Sequence, residues 1–226
     1  MTEPAGDRGI APAPINDHQI QDACDLLYTN PLNRPILYRM LKRCEAAPVR
    51  LHELESWIEQ RPEFERATQP PYYLIMWLVD ARALEEFELD EAGNTVQPEQ
   101  KQGLSEDEID DLVADYSYQT SIIGQAVLAE FDPTIRVQVL LEEVPQRRET
   151  YLELLEFLRE TRSYNDIDEL LRGREILMLG RAEGDRPIQP SVFVDKLAAV
   201  GGIVWNKGWI ISEEGKELLD TIQARK

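Results

Sequence analysis

At 226 residues, with a formal net charge of −19 and a pI of about 4.5, the chain has room for one large or two small domains and is too acidic to grip nucleic acid by bulk charge. Hydrophobic residues make up 42% and charged residues 30%, which excludes a disordered chain, and no apolar run approaches the roughly 20 residues needed to span a bilayer. Two cysteines, Cys24 and Cys44, with no CxxC, exclude a disulfide scaffold and read as reduced thiols of a cytoplasmic protein.

In chain order, residues 1–16 (MTEPAGDRGIAPAPIN) lack the basic start and apolar middle of a signal peptide and read as a disordered leader. Residues 33–44 follow as an amphipathic helix with Ile36, Leu37, Met40 and Leu41 on one stripe. A short second helix covers residues 51–58. Residues 71–87 (PYYLIMWLVDARALEEF) start a third helix and run into a strand. The stretch from Asp90 to Asp115 is an acidic insert between two strands, and its Ser105 and Glu108 form a capping box for a short helix. From Leu84 to Phe131 the only basic residue is Lys101. A β-prone run, 116–120, leads to a helix capped by Ser121. Residues 132–144 are ambiguous. Ile135, Val137 and Val139 alternate like a strand, but Asp132-Pro133 is a helix start and Leu140, Leu141 and Val144 restore helical spacing, so a helix is expected.

The second half begins near Asp132. Residues 148–160 form a first helix with Tyr151, Leu154, Leu155 and Leu158 on its stripe; residues 165–171 form a second, with Asn165 as its expected N-cap. A connection, 172–189, carries Arg172, Arg174, Arg181 and Arg186 around the apolar run 176–179. Residues 190–211 (PSVFVDKLAAVGGIVWNKGWII) then read as a helix with Phe193, Leu197 and Val200 inward, a Gly201-Gly202 stop, and a hairpin turning at Asn206-Lys207-Gly208. Ser212 caps the last helix.

The chain also matches itself. Residues 71–87 lie on 190–206 without a gap, pairing Leu74 with Phe193, Leu78 with Leu197 and Leu84 with Ile203; Ser121 and Gly124 lie on Ser212 and Gly215. The order helix, helix, helix, two-stranded wing, closing helix resembles a winged helix-turn-helix domain, and residues 209–219 (WIISEEGKELL) resemble the last wing strand and closing helix of many bacterial winged-helix regulators. The resemblance implies a mainly α fold with small β wings (α+β), as two tandem winged-helix domains: 17–131, with its insert at 90–115, and 132–226.

DNA-binding chemistry fits poorly. With Leu74 and Leu78 inward, the first third helix offers Tyr72, Tyr73, Met76, Val79 and Asp80 outward, none of them basic; the second offers Ser191, Val194, Asp195, Lys196 and Ala198. Guanine readout wants Arg or Lys there, and adenine wants Asn or Gln. A connection of 18 residues before the third helix also departs from the 3–4-residue turn of a DNA-reading motif. Catalytic signals are as thin. His52-Glu53 opens like a zinc-protease motif but lacks the second histidine, no Gly-rich phosphate loop occurs, and no nucleophile is paired with a base. The expectation is a non-catalytic module without cofactor, metal or membrane, acting on a protein partner or a second copy of itself as a homodimer, with Trp205, Trp209, Tyr72 and Tyr73 as candidate contacts. The alternative is a transcriptional regulator whose second domain holds DNA through Arg172, Arg174, Lys196 and Lys207.

Overall fold

The computed structural model describes residues 16–182 and 184–225. The leader expected over residues 1–16 therefore lies outside the described residues, apart from Asn16. Asn16 is already part of a helix start: its side chain accepts from the His18 N–H while Gln19 reaches back to its own N–H. The chain is mostly helical with two small antiparallel sheets, an α+β arrangement. Among the described residues no helix is long and apolar enough to cross a membrane.

Two hydrophobic cores divide the chain, and the change from one to the other falls between Phe131 and Val137. The first is built by α1 (Asp17–Thr29), α2 (Arg34–Cys44), β1 (Val49–Arg50), α3 (Leu51–Glu59), α4 (Pro71–Asp80), β2 (Leu84–Leu89), α5 (Glu106–Leu112), β3 (Asp115–Thr120) and α6 (Ile122–Glu130). The second is built by α7 (Pro133–Glu143), α8 (Arg148–Phe157), α9 (Tyr164–Leu171), α10 (Ser191–Ala199), β4 (Ile203–Trp205), β5 (Trp209–Ile211) and α11 (Glu213–Gln223). The stripes on the two first helices are the cores' centres: Ile36, Leu37, Met40 and Leu41 on α2 and Leu154, Leu155 and Leu158 at the end of α8 have no exposed surface. Residues 132–144 form a helix throughout, since Asp132 caps it by accepting from the Thr134 N–H and Pro133 sits in the first turn.

Apart from β1 and α5, the halves run through the same order of helices and strands. In the first, β3 is central, with β1 on one side and β2 on the other; β2 and β3 pair from Leu84↔Thr120 to Leu89↔Asp115. In the second, β4 and β5 pair from Ile203↔Ile211 to Trp205↔Trp209, and an isolated bridge from Arg162 to Trp209 stands where β1 stands in the first. The match reaches single atoms at the junction of third helix, strand and closing helix. The Ser121 N–H donates to the Ala83 carbonyl (3.1 Å), and the Ser121 hydroxyl donates to the Arg82 carbonyl (2.6 Å) while capping Gly124. Ser212 repeats all three contacts, with Gly202 (3.0 Å), Gly201 (2.7 Å) and Gly215. Both closing helices run so close to the preceding turn that a Cβ on Gly124 would collide with the Ala83 carbonyl oxygen, and one on Gly215 with that of Gly202. At the turn itself Gly201 has φ +79°, and Arg82 takes the same left-handed conformation with φ +59°.

Two details differ from the sequence reading. Ser163, not Asn165, caps α9: it exchanges a capping box with Asp166, and this places Asn165 inside the first turn. Val194 is buried (2% exposed) instead of facing outward, because α10 packs with two adjacent apolar side chains, Phe193 and Val194, against the second core.

Candidate interaction faces

The helices before the two hairpins, α4 and α10, present different surfaces. On α4, Leu74, Ile75 and Leu78 are buried, and this turns Tyr72 (46% exposed) and Tyr73 (56%) to solvent, edge-on at 5.9 Å. Beside them stands the β2–β3 pair. Cross-strand register puts Glu86 opposite Tyr118 and Glu88 opposite Tyr116 on one face of the sheet. The Tyr118 hydroxyl donates to Glu86 (3.0 Å), and burial together with that carboxylate pushes its pKa well up. Lys101 pairs with Glu88. Residues 84–131 hold thirteen carboxylates against this one lysine, so most of the chain's net charge of −19 sits on β2, β3, the segment between them and α6.

In the second half the β4–β5 hairpin is engaged within the molecule. Trp205 and Trp209 face each other across the strands, ring centroids 5.4 Å apart, and both are half-buried. The guanidinium of Arg66, from the first half, lies 5.9 Å from one ring and 5.6 Å from the other. The hairpin tip is held as well: the Lys207 N–H donates to Glu65 (2.8 Å). The 3-10 turn Pro62–Phe64 packs against β4.

A buried ion-pair cluster fastens the same joint. Arg39 on α2 donates through Nε to Glu63 (2.7 Å) and through both terminal nitrogens to Glu214 of α11 (2.5 and 2.8 Å), a two-pronged contact across 175 residues of sequence. Arg39 is 11% exposed, Glu63 8% and Glu214 15%. Burial works against the Arg39 charge, but Glu214 and Glu63 outweigh it and raise its pKa. Arg34 adds a second tie, donating from Nη1 to the Ala199 carbonyl at the end of α10 (2.8 Å).

The cations named for nucleic acid are mostly engaged. Arg172 pairs with Asp168, Arg174 with Glu153 and Lys196 with Glu143. The hydrogen bond from Arg174 holds the Glu153 carboxyl below the usual carboxylate range. Lys207 has its ammonium exposed, on the tip that leans on the first half. Three of these four side chains are thus matched by a carboxylate.

Among the described residues no group of three His, Cys, Asp or Glu side chains could hold a metal ion, and His52 is exposed on α3 beside Glu53, which Arg43 takes as its partner. Cys24 and Cys44 are free and buried; burial pushes the Cys44 thiol up to about 12, far from a reactive thiolate. The joint between the halves was missed from the sequence, since Arg39, Glu63 and Glu214 carry no local pattern that points to one another. Comparison with protein-family models, with curated proteins and with solved structures finds no match for this chain.

Proposed function

We propose that this chain is a non-catalytic module of two tandem winged-helix domains, residues 17–131 and 132–226, that acts in the cytoplasm through protein–protein contacts. The observation that carries the reading is the engagement of the second hairpin. Its tip, its tryptophans and the neighbouring turn are packed on the first half, while a winged helix that reads DNA needs its third helix and wing open to the groove and the backbone. The ion-paired state of Arg172, Arg174 and Lys196 supports the same reading. So does the repeated sheet-and-cap geometry for the winged-helix assignment.

The open face is the first half's. Tyr72 and Tyr73 offer large apolar rings with polar tips, the residue type that anchors interfaces. The acidic wing beside them favours a basic protein over a second copy, because a symmetric dimer would set two acidic wings against each other. Salt separates these occupants. A complex with a basic partner weakens as salt rises, whereas self-association of like-charged faces strengthens. Sedimentation velocity of the full chain, alone and with a lysine-rich basic protein, at low and high salt is the test. The expected result is a low-salt complex that Tyr72→Ser with Tyr73→Ser weakens at least about tenfold. A complex or dimer indifferent to both tyrosines would overturn the assignment of this face.

A further inference from the structure

The two sheets do not use their edges alike. Successive residues of an antiparallel strand turn their N–H and C=O alternately towards the paired strand and away from it. On β4 the outward residues are Ile203 and Trp205, since Gly202 accepts from the Ser212 N–H on the inner side. That strand is covered: the 3-10 turn Pro62–Phe64 packs on it, and Arg66 lies over the Trp205–Trp209 pair. The matching outward residues of β2 are Leu84 and Glu86, because Ala83 accepts from the Ser121 N–H as Gly202 does from that of Ser212. Glu88 shows the same phase, accepting on the outer side from the Val96 N–H (2.8 Å). Thr95 and Val96 thus close the edge from Glu88 onward. Before it, no described residue pairs with the N–H or C=O of Glu86. A groove of about 410 Å³ lies alongside, between β2 and residues 95–101.

The charge on this edge is also unmatched. Glu86 stands opposite Tyr118 where Trp205 stands opposite Trp209, so the position that receives Arg66 inside the molecule carries a carboxylate in the first half. Glu85 and Glu86 are exposed, and neither has a cation among the described residues; Lys101 is taken by Glu88. We infer that β2 takes an extended basic segment of the partner as an added strand, its backbone on that of Glu86 and a Lys or Arg side chain on the Glu86 carboxylate. In strand addition the main-chain hydrogen bonds supply affinity and the side-chain contacts supply choice. A second copy of β2 is a poor occupant, since it would set Glu85, Glu86 and Glu88 against their own kind. This docking rests on the basic-partner reading above and adds the edge that holds the partner.

The test is fluorescence anisotropy of a labelled peptide, Lys-Val-Arg-Val-Lys-Val-Arg, titrated with the full chain at about 50 mM salt. Two further versions keep the charge but carry backbone N-methyl groups, one on every valine and the other on every lysine and arginine. An added strand pairs through only one of these two sets of N–H groups. Saturable binding is expected at about 100 µM or tighter, with one N-methylated version at least about tenfold weaker and the other within about threefold of the parent. Glu86→Gln removes the charge but keeps an acceptor for the Tyr118 hydroxyl, and it should weaken binding about fivefold. Glu217→Gln, exposed on α11 in the second half, should leave binding unchanged. N-methylated versions that bind alike, or a loss in Glu86→Gln no larger than in Glu217→Gln, would overturn the edge and leave the basic-partner reading standing. No saturation up to about 200 µM protein also overturns the edge, and sedimentation with the lysine-rich protein then decides the broader reading separately.

Discussion

Arg39 shows how one residue can hold two halves together. Three charges within hydrogen-bonding distance, all nearly out of solvent, are stable only as a set: removing the guanidinium leaves Glu63 and Glu214 buried without a counter-charge. Arg39→Ala should therefore cost about 3–5 kcal/mol in urea unfolding, the range for breaking a buried pair from one side. Arg174→Ala removes a far more exposed pair with Glu153 and should cost about 1 kcal/mol or less. Equal losses in the two variants would mean that burial is not what makes the Arg39 cluster matter.

At the scale of elements, the turn after each third helix gives a direct comparison. Gly201 takes a left-handed conformation that suits glycine, and Arg82 takes the same one at a steric cost of roughly 1–2 kcal/mol. Arg82→Gly should be neutral to about 1 kcal/mol stabilising, the gain being offset by glycine's greater freedom in the unfolded chain. Gly201→Ala should destabilise, since its Cβ would also press on Pro133. Gly124→Ala should do so more strongly, since there the Cβ meets backbone; thermal melts of the three variants check the order. Much of this level was legible in the sequence: the α2 and α8 stripes, the hairpin at 203–211, the capping box of α5 and the paired Ser-Gly closing helices all follow from spacing. Other points were not. Ser163 and Asn165 are both good caps, and only the position of Asp166 at the third helical residue decides between them. Val194 lies beside Phe193, so a single inward stripe understates how deeply α10 is set. The meeting of Arg39 with Glu214, or of Arg66 with Trp205 and Trp209, depends on how two cores dock, and side chains that far apart leave no trace in local periodicity.

For the whole molecule the dominant quantity is the net charge of −19. Its self-repulsion opposes the compact state and is screened by salt, so the melting temperature at pH 7 should rise with added salt while the buried Arg39 cluster is little affected. Acidification works in two opposite ways. Protonation towards the pI relieves repulsion. Against that, Glu153, Asp166 and Glu108 have folded pKa values lowered by hydrogen bonds from Arg174, Ser163 and Ser105. Lowered carboxylates contribute stability above their unfolded pKa of about 4, and that contribution is lost as pH falls through the folded value. Melting temperature should accordingly climb as pH drops from 7 towards about 5 and fall below about 4; a steady decline from pH 7 would show that self-repulsion is unimportant. The same charge, concentrated in residues 84–131, bears on what the protein can touch. The most direct test of an interaction module that leaves DNA alone is the fluorescence anisotropy of a labelled mixed-sequence duplex titrated with the full chain at about 50 mM and 200 mM salt. No rise in anisotropy is expected at either salt up to about 10 µM protein, whereas binding at the lower salt that weakens tenfold or more at the higher would contradict an interaction module of this kind.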